Sequence, residues 1–251
     1  MGWAIFVHAV GMVFRNLGAA LRLSLVPFAV PTVMIVLTIR DALANGAEGD
    51  MVADEVIGLF TSLLPGGLLM ALAALWVAVS WHRFVLLEEY PTGWIPRWHG
   101  GVTFSYFVKG LLLSLVMIGP AFLVMMAAGV VVAAAGTAVL MLDYVLQIAV
   151  SVAMGWFFFR WSPILPAAAL GQRMSLGEAW AATSQGAQPL LALAIIVQGV
   201  NVLMTGVAVQ LAAVPAVLMV ATVAWSWVNF VVGVSIMTAI YGHYVEERPF
   251  A

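Results

Sequence analysis

The stretch WHRFVLLEEYPTGWIPRWHGG, residues 81–101, contains the side chains of this sequence best suited to metal binding or acid–base chemistry. It holds two histidines, His82 and His99, and two adjacent carboxylates, Glu88 and Glu89. On a continuous helix, His82 and Glu89 share a face but lie about 10 Å apart along the axis, too far for one ion to bridge them directly. Zinc and di-iron sites favour ligands at i, i+3 or i, i+4. The spacing therefore does not predict a metal site, and we predict no cofactor.

The aromatic and cationic residues of the same stretch indicate contact with a lipid head group or with a partner protein. Tryptophan and tyrosine concentrate where a membrane meets water, and arginine there reaches lipid phosphate. The simpler alternative is that these residues only anchor the end of a membrane helix. The candidate contact residues are Arg83, Trp94, Arg97 and Trp98.

Polar side chains within long apolar runs form a second candidate site. They recur at helical spacing on separate segments, and the candidate ligand-binding residues are Asp143, Gln147, Asn201 and Thr205. A further polar face carries Ser226 and Asn229. One interpretation is a small cavity for a solute or cation, with Asp143 as its titratable group. The alternative is that these groups join helices through hydrogen bonds, each contributing about 0.6 kcal/mol.

Membrane-spanning helices must position these side chains, because the composition excludes a soluble globule. Of the 251 residues, 65% are apolar and only 8% are charged, and the mean hydropathy is +1.12. Since one crossing needs roughly 20 apolar residues, the apolar runs predict six spans. We place an interfacial helix over about 3–17 and spans near 21–39, 64–86, 108–134, 138–160, 189–211 and 214–241.

A weak internal repeat predicts that the six spans form three hairpins in an all-α bundle. The ends of the second, fourth and sixth spans read HRFVLLEEYP, FRWSPILP and GHYVEERP, so that Arg83, Arg160 and His243 correspond. A semi-polar segment precedes each hairpin: VFRNLGAALRL, GVTFSYFVKG and SLGEAWAATSQGAQP. Residues 65–67 (PGG) are expected to start the second span. Gly136 is expected in a turn, and Pro215 at the start of the sixth span.

The sequence lacks the residues and motifs that several functions require. There is no cysteine, and the formal net charge of −2 comes without a basic tract, so nucleic-acid binding is not expected. The metalloprotease, serine hydrolase and phosphate-loop motifs are absent from the sequence. We therefore predict a protein without catalytic function.

The distribution of Lys and Arg predicts the orientation. Eight of the nine positive charges fall on one side of the six predicted spans, the exception being Arg40. Because positive residues concentrate on the cytoplasmic side, both termini are expected inside a bacterial inner membrane. The acidic loop that follows Arg40 is then expected outside.

Two segments carry a family resemblance: WHRFVLLEE at the end of the second span and MSLGEAWAATSQGAQPLLALAII before the fifth. The chain resembles uncharacterised bacterial six-helix membrane proteins related to the membrane domain found beside glycerophosphodiester phosphodiesterases. Similar S-L-x-E-A-W segments precede a span in those proteins. The resemblance implies a six-helix membrane fold and no demonstrated chemistry, since no phosphodiesterase domain accompanies these 251 residues.

The sequence thus favours an interaction, accessory or lipid-organising component, with the lipid bilayer as its partner and a membrane protein as a second candidate partner. Two alternatives stay open. One is a small-solute or ion transporter centred on Asp143, Gln147 and Asn201. The other is a membrane-embedded lipid enzyme that uses His82 with Glu88 or Glu89.

The absence of cysteine allows a direct test of the orientation. Single cysteines are introduced at Ala47 and at Gly171, and intact cells are treated with a membrane-impermeant thiol reagent. We expect labelling at residue 47 alone, because the acidic loop is predicted outside. Labelling at residue 171 without permeabilisation would reverse the topology.

Overall fold

The computed structural model describes residues 1–44, 53–135 and 139–249, and the regular structure in these ranges is helical, without a strand. A single 3₁₀ turn, Ser184–Gly186, lies among the helices. The α-helices of the described ranges are α1 Gly2–Arg15, α2 Leu17–Ala44, α3 Ala53–Leu87, α4 Gly100–Ala135, α5 Val139–Trp161, α6 Ile164–Ala169, α7 Leu176–Ala182, α8 Ala187–Leu211 and α9 Pro215–Tyr244.

Six of these helices, α2, α3, α4, α5, α8 and α9, are long and apolar enough to cross a membrane. The prediction of an all-α bundle with six spans is therefore confirmed, and the chain is a multi-pass membrane protein. Helices α3 and α4 have 35 and 36 residues. At 1.5 Å per residue each exceeds the roughly 30 Å hydrocarbon core, so each must tilt or extend beyond it.

The helix boundaries differ from the sequence prediction at one of the expected signals. Pro65 lies inside α3, which already begins at Ala53, and does not start the helix. In an apolar medium, continued helix satisfies most backbone groups, so one missing N–H is tolerated. Pro215 does begin α9, as predicted. Gly136, expected in a turn, lies outside the described residues.

The semi-polar segments before the hairpins take two forms. The first is the end of α1 with the start of α2, and the third contains the separate short helix α7. The second, GVTFSYFVKG, is continuous with the following span as the beginning of α4. Since α4 runs unbroken through this segment, the helix is longer than the span predicted from hydropathy.

Helix α1, which lies in the segment predicted as an interfacial helix, has one face buried against the protein. Ile5, Ala9 and Met12 are buried, and α1 packs against α8 and α9. Trp3 and Phe14 are exposed. The helix therefore has one apolar face toward the protein and another that faces outward.

The predicted hairpin partners do contact one another: α2 with α3, α4 with α5, and α8 with α9. Helix α8 packs mainly against α5, which joins the second hairpin to the third. The short helix α6 packs against α4 and α3. These contacts bring α1, α6 and α7 to one end of the bundle, called here the α6 end.

Side-chain burial is concentrated toward the α6 end. All six residues of α6 are buried, and α9 is buried continuously over residues 234–242, near its C-terminus. The opposite end of the same helix is exposed over most of residues 215–224. The spans are thus packed tightly at one end and separate toward the other.

Two arginines bind the C-terminal ends of the short helices. Arg83 Nη1 donates to the carbonyl oxygen of Ala169, the last residue of α6, at 3.2 Å. Arg160 Nη2 donates to the carbonyl oxygen of Trp180, in the last turn of α7, at 2.8 Å. The last carbonyl groups of a helix lack intrahelical partners and carry partial negative charge. Both arginines therefore act as cationic C-caps.

The third residue of the repeat makes a related contact. His243 Nδ1 lies 3.2 Å from the carbonyl oxygen of Arg248, so this ring nitrogen carries the hydrogen. Arg248 Nη2 in turn donates to the carbonyl oxygen of Leu86, in the last turn of α3, at 3.2 Å. The three corresponding residues of the sequence repeat thus each bind a backbone carbonyl group.

A close approach of α2 and α3 at Gly66 provides a test of the packing. A Cβ atom on Gly66 would lie 2.9 Å from Ile35 Cγ1, whereas one on the adjacent Gly67 would meet nothing within 4 Å. We expect Gly66→Leu to lower the free energy of unfolding by about 1–3 kcal/mol through overpacking. Gly67→Leu, the matched control, should be neutral or stabilising because leucine favours helix. Thermal unfolding in nanodiscs measures both, and equal effects would contradict this helix pairing.

Candidate functional site

The loop after α3 reverses direction and returns along its own helix. Glu88 adopts the left-handed conformation, with φ of 55°, and the Glu89 N–H donates to the carbonyl oxygen of Arg83 at 3.3 Å. Non-glycine residues reach this region at some cost. The turn brings Glu89 beside the helix it has just left.

Glu89 joins the two ends of this loop. Its Oε2 lies 2.7 Å from Arg83 Nε, and its Oε1 lies 3.0 Å from His99 Nε2. All three side chains are mostly shielded, with 18%, 28% and 17% of the Arg83, Glu89 and His99 side chains exposed. The segment between Glu89 and His99 contains two prolines and a glycine, and it folds back so that His99 meets Glu89.

The returning loop presents aromatic and cationic side chains on the outside of the protein. The Trp76 and Trp98 rings meet edge to face at 5.5 Å, and Trp76 Nε1 donates to the carbonyl oxygen of Arg97 at 3.4 Å. The Arg97 guanidinium makes no hydrogen bond or ion pair within the described chain. The exposed residues, called here the Trp–Arg surface, are Tyr90, Trp94, Ile95, Arg97 and Trp98.

The four predicted contact residues therefore divide into two groups. Trp94, Arg97 and Trp98 lie on the Trp–Arg surface. Arg83 is instead engaged internally with Glu89 and with the end of α6. These two contacts fix the start of the loop against α6.

Glu89 and His99 are two convergent groups of a kind that binds metals. Among the described residues, however, no group of three His, Cys, Asp or Glu side chains is placed to hold an ion. Arg83 also occupies the second oxygen of Glu89. The arrangement is that of an ion-paired support for the loop.

His82 lies in a buried polar cluster that joins three spans. Its side chain is fully buried, with Nδ1 2.8 Å from Thr238 Oγ1 and Nε2 3.3 Å from the Tyr106 hydroxyl. Thr238 donates its own hydrogen to the carbonyl oxygen of Val234 at 2.8 Å. We therefore assign Nδ1 of His82 as the donor to Thr238, and Nε2 as the acceptor from Tyr106. This cluster was not predicted from the sequence, because the partners of His82 lie on distant segments.

The pairing required for a His82–Glu89 enzyme does not form. His82 bonds to α4 and α9, whereas Glu89 binds Arg83 and His99. Glu88 occupies the turn, and its side chain is exposed. The structure thus separates the histidine from the carboxylates that such chemistry would use.

Arg160 is a second buried group that the sequence analysis did not select as a site residue. Only 4% of it is exposed, and Nε donates to Thr183 Oγ1 at 2.9 Å. Its guanidinium carbon lies 3.9 Å from the Trp180 ring centre and 5.6 Å from that of Trp156. The Arg160 guanidinium thus interacts with a carbonyl oxygen and with aromatic ring faces in place of a carboxylate.

A capping box fixes α7, whose end Arg160 binds. Ser175 Oγ accepts from the Glu178 N–H at 3.2 Å, and Glu178 Oε2 accepts from the Ser175 N–H at 2.6 Å. The Ser175 hydroxyl also donates to Glu178 Oε2, at 2.8 Å, and the hydrogen bonds donated by the Ser175 backbone and hydroxyl lower the pKa of Glu178. The ionised Glu178 carboxylate therefore stabilises the folded protein at pH values above the ordinary pKa of a glutamate. This stabilisation is lost as the pH falls through the lowered pKa.

The structure describes the side chains of only some residues of the second predicted site. Asn201 and Asn229 join α8 to α9, with Asn229 Nδ2 donating to Asn201 Oδ1 at 3.3 Å, and Thr205 donates to the carbonyl oxygen of Asn201 at 3.0 Å. Gln147 is exposed on α5. The side chain of Asp143 lies outside the part of the chain that the structure describes.

Gln147 on α5 nevertheless lies at the same level along the bundle as Asn201 on α8. Helices α5 and α8 are antiparallel, and a Cβ on Gly155 would lie 3.4 Å from Ala194 Cβ. Gln147 lies eight residues, about 12 Å, from Gly155, and Asn201 lies seven residues, about 10 Å, from Ala194 in the same direction. The amide groups of three spans therefore occupy one layer.

Comparison of the chain with protein-family models, with curated proteins and with solved structures finds no match. What the fold and site define is the class: an all-α, multi-pass membrane protein with a supported surface loop. Any function must be argued from these residues themselves.

The buried histidine cluster gives a stability prediction. Thr238→Val removes the acceptor of His82 Nδ1 and leaves this donor buried without a partner, which costs about 1–3 kcal/mol. Thr205→Val, also within a span but exposed, is the matched control and should change stability little. Chemical or thermal unfolding followed by tryptophan fluorescence measures both variants. A Thr238→Val protein as stable as the control would refute the assigned hydrogen bond.

Proposed function

We propose that this protein is a non-catalytic, lipid-organising component of a bacterial inner membrane, which holds anionic lipid head groups at its α6 end. The observation that carries the proposal is the Trp–Arg surface. It is exposed, yet the loop that bears it is fixed by the contacts of Glu89 with Arg83 and His99 and by Trp76.

The chemistry of this surface suits a phosphate group next to hydrocarbon. A guanidinium presents paired N–H donors that match two phosphate oxygens, and Arg97 has no competing carboxylate within the described chain. Trp94 and Trp98, each more than half exposed, are of the type that lies at head-group depth. The apolar side chain of Ile95 would contact the first carbons of the acyl chains.

The support beneath the loop favours binding over simple anchoring. A flexible loop would lose conformational freedom on binding a ligand, and that loss reduces affinity. Here Glu89 ties the start of the loop to its end, through Arg83 and His99. The loop is therefore organised before any head group arrives.

The proposed orientation agrees with this role. With both termini in the cytoplasm, the α6 end faces the cytoplasmic leaflet, as the Lys and Arg distribution predicts. Anionic lipids give that leaflet its negative surface potential. The surface would then meet its ligand in the membrane in which the protein resides.

Solute transport is the competing proposal, and it rests on the amide layer of Gln147, Asn201 and Asn229. In the described structure, Asn201 and Asn229 are bonded to each other, which suits a structural role. Solute flux in proteoliposomes that is lost on Asp143→Asn would favour transport instead.

The triple variant Trp94→Ala, Arg97→Ala, Trp98→Ala tests the proposed function. We expect the amount of anionic phospholipid retained through purification in mild detergent to fall at least fivefold, because the phosphate donor and both flanking rings are gone. Mass spectrometry of the co-purifying lipids and proteins measures the change.

The matched control is Trp3→Ala, Arg173→Ala, which removes an exposed tryptophan and an exposed arginine elsewhere. This control should retain lipid as the parent does. Equal lipid loss in both variants would contradict a specific site. Loss of a stoichiometric protein from the triple variant alone would make the surface a docking site for a partner subunit instead.

A further inference from the structure

A cleft of about 380 Å³ lies at the α6 end of the bundle. Its walls are the linker between α6 and α7, α7 itself and the C-terminal end of α9. Ligand pockets in proteins range from about 300 to 1,000 Å³, so this cleft has room for one small molecule. It is called here the α7 cleft, and the lining residues on which its chemistry depends are Gln172, Arg173, Met174, Glu178, Tyr244 and Val245.

The α7 cleft opens to water rather than to lipid. Large apolar side chains are exposed at Val145 and at Leu191, but none of the described residues 146–190 exposes one. The exposed residues of the cleft are instead polar: Gln172, Arg173 and Glu178. Polar and charged side chains that face lipid cost free energy. The ligand of this cleft is therefore a water-soluble molecule.

Two charges of opposite sign line the cleft without pairing with each other. Arg173 makes no hydrogen bond or ion pair within the described chain. Glu178 accepts both hydrogen bonds from Ser175 at Oε2, and its Oε1 has no hydrogen-bond partner in the described structure. Lys109 adds a positive charge near Glu178, but its ammonium donates to the carbonyl oxygen of Met174 at 3.0 Å. The cleft thus offers a ligand one cation and one anion, on different walls.

Two neutral donors also line the cleft. The Tyr241 hydroxyl donates to Gln172 Oε1 at 2.6 Å, which leaves the two Nε2 hydrogens of this amide available. The Tyr244 ring packs against Gly186, where a Cβ atom would overlap it. The Tyr244 hydroxyl is shielded from solvent, yet it makes no hydrogen bond within the described chain. Burying a hydroxyl group without a partner lowers stability, and a ligand in the cleft would supply that partner.

We propose that the α7 cleft binds a zwitterion, namely an α-amino acid with an aliphatic side chain. Its carboxylate accepts from the Arg173 guanidinium, whose paired N–H groups match two carboxylate oxygens, and from Gln172 and Tyr244. Its ammonium group donates to Glu178 Oε1. Its side chain packs against the apolar residues of the cleft, which are Ala167, Met174, Ala182 and Val245.

The ligand class follows from the arrangement of charges. A simple anion would satisfy Arg173 but would place a second negative charge near Glu178, and a simple cation would do the reverse. A zwitterion complements both groups at once. The α7 cleft shares no residue with the Trp–Arg surface, so this inference does not depend on the proposed lipid binding.

Amino-acid binding to the purified protein in nanodiscs tests the inference. A ligand that binds only the folded protein raises its melting temperature, so L-leucine, L-isoleucine, L-valine and L-methionine are each added at about 10 mM and unfolding is followed by scanning calorimetry. We expect a rise with these four and a smaller one with glycine, which lacks the side chain. No rise with any of the four would overturn the inference.

Analogues of leucine that carry only one charge separate the two polar contacts. The carboxylate 4-methylpentanoate lacks the ammonium group, and 3-methylbutylamine lacks the carboxylate. Each should displace radiolabelled L-leucine at least tenfold less well than unlabelled L-leucine does, because each loses a charge-assisted hydrogen bond. Equal displacement by either analogue would overturn the zwitterion. Stronger displacement by sn-glycero-3-phosphoethanolamine would assign the cleft to a lipid head group and would overturn the amino acid.

Arg173→Gln tests the carboxylate contact without removing any contact within the described chain. Arg22→Gln is the matched control, because Arg22 is likewise exposed and makes no hydrogen bond or ion pair in the described structure. Equilibrium dialysis of radiolabelled L-leucine should show a dissociation constant at least tenfold higher for Arg173→Gln and unchanged for Arg22→Gln. Equal values for the two variants would contradict the site.

Tyr244→Phe distinguishes a ligand contact from a structural role. Because the hydroxyl has no partner in the described chain, its removal should leave the melting temperature of the ligand-free protein unchanged or raise it. The affinity for L-leucine should nevertheless fall several-fold. A lower melting temperature together with unchanged affinity would show a structural hydroxyl and overturn the proposed contact.

Discussion

The need to pair backbone carbonyl groups where helices end near a membrane is the constraint on which the rest of this structure depends. Within a span each carbonyl is bonded inside its helix, but the last turn leaves several without partners. Here cationic side chains bind them: Arg83 at the end of α6, Arg160 at the end of α7 and Arg248 at the end of α3. A protein with so few charged residues places several of them at helix ends.

These cationic caps also decide where the bundle is compact. They draw the short helices against the spans, and buried side chains are most concentrated around them, including the whole of α6. The buried cluster of His82, Tyr106 and Thr238 joins α3, α4 and α9 near the same end. Toward the other end, few side chains are buried. The protein therefore has one fixed end, which supports the Trp–Arg surface, and one looser end.

Arg83 links the architecture to the proposed lipid site. One of its nitrogens donates to the last carbonyl group of α6, while another binds Glu89. Glu89 in turn contacts His99 at the end of the returning loop. The lipid-contact hypothesis grouped Arg83 with Trp94, Arg97 and Trp98 by composition alone. Its internal contacts make it a support for that surface, and they leave Arg97 as the arginine that is available to a phosphate.

The sequence by itself determined the features that depend on local composition. The apolar runs predicted six membrane helices, because each crossing needs a fixed length of hydrocarbon-compatible chain. Proline at the start of α9 and the capping box of Ser175 and Glu178 are likewise local signals, each written within one turn of helix. The correspondence of Arg83, Arg160 and His243 was also visible as a repeat, although the reason for it was not.

Only the tertiary structure decided which polar groups meet. The partners of His82 lie 24 and 156 residues away, and no periodicity within one helix encodes such a contact. The return of the loop, which brings His99 to Glu89, depends on a left-handed turn at Glu88 that hydropathy does not reveal. The buried face of α1 is likewise set by tertiary contacts, because it is the face that packs against α8 and α9.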